Sequence, residues 1–423
     1  MTVRSRLTLE GRLVDSRLTG GTARVVITAS PGSIAEERIA RARLRTFVPR
    51  TTLRSRVSGR TFRRSLVSCD DVRRPSGFSG LDLLTVLTVD LDRGLFSVDR
   101  DAIMAGAQTV YASPTGLYVA SQRYSPALED GRSVPETVRT EIHRFGASRP
   151  GETSYRSSGA VRGFVLDQYG LSEHEGALRV ASTEEPPWSG AAESKPRGES
   201  ESFVTVLREQ GSVLAEVGRT GGLGRGERIY AVRFVGGTGY VVTFRQVDPL
   251  YTLDLSEPTA PKAMGELKIL GYSAYLHPIG DDRLLGIGQD ATDAGRAKGS
   301  QISLFDVSDL RNPKRLAQAS LGASSSSTAE FDPRAFLFWG PESLAVVPLE
   351  RYEPPFAAAV GFRTGRSELV PAGTVEHLAR SDGSRPPIAR SLVIRDKLYT
   401  VSYAGLAAHR LDTLAPVAML VFP

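Results

Sequence analysis

Short apolar runs, each following a turn rich in Gly or Asp, recur along the chain, and helical periodicity is almost absent. The runs are Leu117-Tyr-Val-Ala-Ser, Leu178-Arg-Val-Ala-Ser, Tyr240-Val-Val-Thr-Phe, Leu284-Leu-Gly-Ile-Gly, Leu344-Ala-Val-Val-Pro and Leu398-Tyr-Thr-Val-Ser, spaced roughly 44 to 62 residues apart. Arg24-Val-Val-Ile-Thr begins the series, and the wider first gap holds an arginine-rich insertion. Two further stretches, Leu253-Asp-Leu-Ser-Glu-Pro-Thr-Ala-Pro-Lys262 and Phe305-Asp-Val-Ser-Asp-Leu-Arg-Asn-Pro-Lys314, are plainly related and lie 52 residues apart. Each reads as strand, turn, strand. A repeat of this length is the mark of an all-β propeller with one four-stranded blade per repeat. Seven second strands predict seven blades, with eight as the alternative for a longer chain.

One blade can be written in full: Ile229–Phe234, Tyr240–Phe244, Leu250–Leu255 and Lys262–Ile269. The whole chain, 1–423, reads as a single propeller domain with insertions near 30–66, 124–139 and 183–201. The first insertion predicts a short helix over Ile34–Leu44 and then an irregular basic stretch. The third is a Pro/Gly/Ser/Glu loop that carries Trp188. Arg6–Leu13 reads as a surplus strand, because Val417–Phe422 already supplies the last outer strand. It predicts an incomplete N-terminus with an upstream blade missing.

Composition narrows the chemistry. The 423 residues carry 53 Lys+Arg against 47 Asp+Glu, a net charge of +6. Only six of the cations are lysines, and the arginines are spread along the chain except for a cluster from Arg38 to Arg64. Without a nucleic-acid-binding motif, the cluster reads as a solvated insertion, and no nucleic-acid partner is expected. The longest apolar runs fall short of the ~20 residues that a membrane helix needs. One cysteine, Cys69, excludes an internal disulfide and CxxC zinc sites. Its acidic neighbours Asp70 and Asp71 mark it as a buried structural residue.

Several segments resemble a family of bacterial secreted proteins with a C-terminal β-propeller domain distantly related to WD-40 repeats. They are Ser68-Cys-Asp-Asp-Val72, Phe78-Ser-Gly-Leu-Asp-Leu-Leu-Thr85, Val110-Tyr-Ala-Ser113, Gly226-Glu-Arg-Ile-Tyr-Ala-Val-Arg-Phe234, Tyr240-Val-Val-Thr-Phe-Arg-Gln-Val-Asp-Pro-Leu250, Tyr275-Leu-His-Pro278, Ile302-Ser-Leu-Phe-Asp-Val-Ser308 and Leu398-Tyr-Thr400. The resemblance implies export to the cell surface, with a signal or lipoprotein segment and more propeller sequence upstream. It carries over no catalytic residues.

Candidate ligand-binding residues come from the ends of the second strands, which in a propeller open onto one face of the channel. They are Arg123, Arg245, Gln246, Asp248, Gln289 and Asp290. Arginine forks and amides there suit an anionic or sugar-like ligand. The opposing expectation is that these groups satisfy loop backbone and neighbouring blades. Asp290 and Asp293 form a loose Asp-x-x-Asp pair, the one weak calcium candidate. No other cofactor, no resident metal and no catalytic group is expected.

His277, with Asp281 and Asp282 after it, is expected to flank a strand turn rather than ligate a metal. His143 and His409 are expected to bond between blades, and His174 and His377 lie in turns. The first functional expectation is a monomeric, non-enzymatic scaffold that binds a protein, small molecule or glycan at the cell surface. The alternative is a hydrolase or lyase at the channel mouth, using Arg245, Gln246, Asp248 and His277.

Overall fold

A computed structural model describes residues 2–30, 48–124, 128–129, 132–133, 138–186, 199–245, 248–292, 294–379, 383 and 385–422. The chain divides into two compact units, Met1–Gly221 with Pro258–Ala260, and Gly222–Glu257 with Pro261–Pro423.

Among the described residues the first unit contains three antiparallel four-stranded meanders. The first comprises Arg12–Thr19, Thr22–Ala29, Leu83–Asp90 and Val98–Met104, and the second Thr109–Ala112, Gly116–Tyr124, Val138–Gly146 and Ser154–Arg162. The third comprises Leu171–His174, Ala177–Glu184, Glu201–Gln210 and Val213–Leu223; a single parallel bridge, Ser158 to Val213, joins its outer strand to that of the second. Second and third strands are buried on both faces, which is why they read as continuous apolar runs. Val26, Leu84, Ile103, Val119 and Phe145 form one core cluster, and Tyr118, Ile142, Val180 and Leu207 form another.

Among its described residues the second unit contains four more meanders. The fourth runs Arg228–Val235, Thr238–Phe244, Asp248–Asp254 and Lys262–Ile269, within two residues of the strands predicted from the sequence. The fifth runs Tyr272–Ile279, Arg283–Ala291, Ala297–Asp306 and Lys314–Ser320. In the sixth, Ser325–Ser326 and Leu337–Trp339 both pair with Leu344–Arg351, followed by Phe356–Thr364 and Leu369–Val375. The seventh is Arg390–Ile394, Lys397–Ser402, Gly405–Arg410 and Pro416–Val421.

The repeated motif has a structural cause. Asp254 Oδ1 accepts from the Ser256 amide at 3.0 Å and its hydroxyl at 2.6 Å, and Asp306 does the same with Ser308 at the same distances. The side chain closes the turn where the backbone has no partner of its own. Opposite each turn the fourth strand also bulges, with Met264 as the extra residue facing Thr252/Leu253 and Leu316 facing Leu304/Phe305.

Three expectations are corrected. Arg6–Leu13 is not one surplus strand. Ser5–Leu9 pairs with Arg50–Ser55, while Arg12 onward is the inner strand of the first meander. The basic stretch is not irregular where it is described, since Arg50–Ser55 and Thr61–Ser65 form a three-stranded sheet with Ser5–Leu9. Cys69 is exposed, because Cys69–Asp71 form a short turn that leaves the sheet. The Ile34–Leu44 helix and Trp188 lie outside the described residues.

Arginines tie meanders together within each unit. Arg17 donates to Val110 O at 2.6 Å and Gln168 Oε1 at 2.5 Å. Arg24, only 6% exposed, donates to Thr153 Oγ1 at 3.0 Å and to the carbonyls of Ala147, Arg149 and Glu152. In the second unit Arg283 reaches Gly365 O at 2.7 Å, and Arg363 reaches Asp412 O at 2.9 Å. A planar fork with five donors suits this work better than lysine, since it can satisfy several carbonyls at once.

Candidate functional site

The residues predicted from the second-strand ends fall into two groups, one in each unit. In the first unit Arg123 donates to Phe78 O and lies 3.5 Å from Glu141 Oε1. Glu141 is 8% exposed; burial raises its pKa, against the pull of Arg123 and Arg139.

In the second unit the Gln289 amide donates to Glu330 Oε1 and Oε2, both at 2.8 Å, and to Ser300 Oγ at 3.2 Å. Glu330 also accepts from Ser300 Oγ at 2.5 Å and from the Ser327 amide at 2.9 Å, completing a capping box. Asp290 Oδ1 accepts from the Ala291 amide at 2.9 Å, and its Oδ2 lies 3.5 Å from Lys298 Nζ. These are structural networks that leave few groups turned outward. Arg245 is exposed in the turn before the strand that Asp248 begins, and Gln246 and Asp293 lie outside the described residues.

Glu330 makes the strongest of these networks, so Glu330→Ala is expected to lower the stability of the second unit by about 2 kcal/mol. Urea unfolding followed by tryptophan fluorescence checks this, since both Trp339 and Glu330 lie in that unit.

Four of the five histidines are packed or bonded within the sheets. The His277 ring lies against Tyr275, Phe336 and Phe338, with centroids 6.2, 5.2 and 5.3 Å away. Its Nδ1 is 3.2 Å from Tyr275 Oη, and burial followed by the charge of Arg233 lowers its pKa to about 4. Strand register sets His277 opposite Leu285, five residues before Asp290. At about 3.3 Å per residue, that separates the two backbones by about 16 Å, so His277 and Asp290 do not form an acid–base pair.

His143 is fully buried with Nδ1 2.6 Å from Ser158 Oγ, a bond within its own meander rather than between blades. His409 likewise bonds within its meander, its Nε2 3.3 Å from Thr400 Oγ1. His377, in a segment with no sequence mark, is 1% exposed and bonds Ser402 Oγ at 2.8 Å and Thr400 Oγ1 at 2.9 Å. His174 lies 4.0 Å from Glu175 at the surface. Among the described residues no three His, Cys, Asp or Glu side chains converge as a metal site.

A hollow that nothing in the local sequence marks lies at the other end of the second meander. Register places Gly116 opposite Gly146 there, and Arg123 opposite Arg139 seven residues, about 23 Å, away. The hollow, about 610 Å³, is edged by Thr115, Arg144, Ser148, Arg149, Glu152 and Arg156, with Asp99 from the first meander.

Its floor is held rigid. Glu209 accepts from Arg144 and, at 2.9 Å, from Arg156, while Arg144 also lies 3.5 Å from Glu173. Glu173 is in turn bound by Thr115 Oγ1 at 2.8 Å and Ser113 Oγ, and its amide donates to Tyr111 Oη at 2.9 Å. Burial opposes ionisation of Glu209, but the two arginines outweigh it and hold its pKa low. Burial, then Glu173, pushes the Tyr118 phenol up, so the ring stays neutral beneath the Arg144 guanidinium, 5.8 Å from its centroid. The rim stays open: Arg149 is 83% exposed.

A family model described as a beta propeller domain matches residues 1–414. The chain belongs to the beta propeller domain family. An uncharacterized protein of Methanocaldococcus jannaschii is 37% identical over 259 residues, which cover 60% of this chain and 36% of that protein. An uncharacterized protein of Archaeoglobus fulgidus is 42% identical over 179 residues, covering 42% and 25%. The matches thus span about a third and a quarter of these curated relatives, both of them archaeal.

Among solved structures, Sqt1 of Saccharomyces cerevisiae superposes with a TM-score of 0.47 at 8% identity, covering 83% of this chain and 84% of the other. Sqt1 of Chaetomium thermophilum, bound to the N-terminus of ribosomal protein L10, gives 0.46 at 9% identity, covering 89% and 85%. The dihydro-heme d1 dehydrogenase NirN gives 0.44 at 14% identity, covering 83% and 66%.

Proposed function

We propose that this beta propeller domain is a non-enzymatic binding module whose ligand is an acidic glycan, held in the hollow between Thr115, Arg149 and Arg156. The reading places it on an exported, cell-surface protein. One observation carries it: the hollow combines cationic forks with carboxylates and hydroxyls on an immobilised floor. A purely anionic ligand would meet Asp99 and Glu152 unfavourably. A sugar acid offers a carboxylate to Arg149 and Arg156 and hydroxyl donors to the acidic groups. Holding Arg144 and Glu209 in place beforehand limits the ordering cost of binding.

The histidine of the enzymatic alternative supports it poorly, since His277 lies among aromatic rings.

Calorimetric titration of oligogalacturonate, with its neutral methyl ester as control, tests the reading. Saturable binding of the acid, weakened about tenfold in Arg149→Ala, is expected. Equal binding of the neutral ester, or an Arg149→Ala affinity like that of the wild type, overturns it.

A further inference from the structure

A second hollow of about 690 Å³ opens in the first unit where the insertion sheet meets the edge of the first meander, sharing only Asp99 with the first hollow's lining. Among the described residues Val72–Arg73 covers that edge only opposite Ala102 and Ile103, and no strand pairs with Val98–Arg100 on that side. Val48, Leu66, Val67 and Val98 give the hollow apolar walls, and Arg64, Arg100, Asp71 and Asp99 are its charged groups.

The two arginines come from strands far apart in sequence, Thr61–Ser65 and Val98–Met104. Arg100 spends one donor, Nη1, on Val98 O at 2.7 Å. Its Nε and Nη2 are buried without a hydrogen-bond partner among the described residues. A buried guanidinium nitrogen left unmatched is costly, so such a pair of donors calls for an acceptor.

Asp99 Oδ2 is taken by the Thr153 amide at 2.9 Å. Neither Arg64 nor Arg100 forms an ion pair among the described residues. Burial, then the like charge of Arg64, lowers the Arg100 pKa, outweighing Asp99.

We infer that this hollow binds a small organic anion, its oxyanion head between Arg64 and Arg100 and its apolar body against Val48, Val67 and Val98. The head is a phosphate or a carboxylate, either of which meets a guanidinium fork.

Titration with phenyl phosphate, inorganic phosphate and benzoate tests the assignment and separates the two heads. Phenyl phosphate or benzoate is expected to bind saturably, with phenyl phosphate about tenfold tighter than inorganic phosphate through burial of its ring. Arg100→Gln and Arg64→Gln are each expected to weaken binding about tenfold. Should Arg100→Gln fail to fold, Arg64→Gln decides, since its side chain is exposed. Bound anion is also expected to slow alkylation of Cys69 by iodoacetamide, because Cys69 lines the hollow and is the chain's one cysteine. Absence of saturable binding by all three compounds, or affinities unchanged in Arg64→Gln, overturns the site. Equal affinity for the two phosphates overturns the apolar half.

Discussion

Exchanging Arg24 for methionine is expected to cost the first unit about 3 kcal/mol or more of unfolding free energy. The side chain crosses from the second strand of the first meander to the loop between the last two strands of the second, where it caps three carbonyls and Thr153 Oγ1. Methionine matches its apolar stem but supplies no donor, so a buried hydroxyl and three part-buried carbonyls lose their partner together. Thr153 also bonds Thr88 Oγ1 at 2.5 Å, so the damage spreads into the third strand of the first meander. Arg93, 73% exposed and paired only with nearby Asp90, is the matched control, for which methionine is expected to change stability by less than about 0.5 kcal/mol. Urea midpoints of the two variants check the contrast. A small loss for Arg24→Met would mean that the loop carbonyls find water instead.

Acid is expected to weaken the fold as the pH falls from 6.5 toward 4. Burial lowers the His143 pKa from 6.5 to about 4. Below pH 6.5 the unfolded chain therefore binds a proton that the folded chain refuses. The stability this contributes is complete above pH 6.5, falls as the pH drops and is lost by about pH 4. The full span amounts to about 3 kcal/mol for this one residue. Burial lowers the His377 and His409 pKa values as well, so they act in the same direction in the second unit. Denaturant unfolding at neutral pH and near pH 4.5 is expected to show the loss. His143→Gln, which keeps a group able to bond Ser158 but binds no proton, is expected to flatten the dependence. An unchanged pH profile in that variant would contradict the assignment.

The fold was largely legible in the sequence because its signals are local. A buried central strand reads as an apolar run, and the Asp254–Ser256 and Asp306–Ser308 turns repeat because the same carboxylate closes each. The position of Ser5–Leu9 was not legible, since its partner, Arg50–Ser55, lies across the arginine-rich insertion. The same insertion hid the fact that Thr61–Ser65 is a strand, its arginines resembling a solvated loop.

Site residues were less legible. Gln289 looked free because the glutamate that engages it, Glu330, lies 41 residues away in a segment with no strand pattern. The Arg144–Glu209–Arg156 floor draws its members from two meanders, and no spacing announces it. Arginines spread along the chain carry no local mark of a role, yet Arg17, Arg24, Arg283 and Arg363 serve as ties between meanders.

As a binding module the domain is proposed to carry its ligand at the Arg149–Arg156 end of the second meander, not at the strand ends bearing Arg123. A crystal structure of the chain with oligogalacturonate measures this directly. Density for a sugar carboxylate against Arg149 and Arg156, with Arg144 and Glu209 unmoved, is the predicted result. Sugar density at Arg123 or Arg245 with the hollow empty would contradict it.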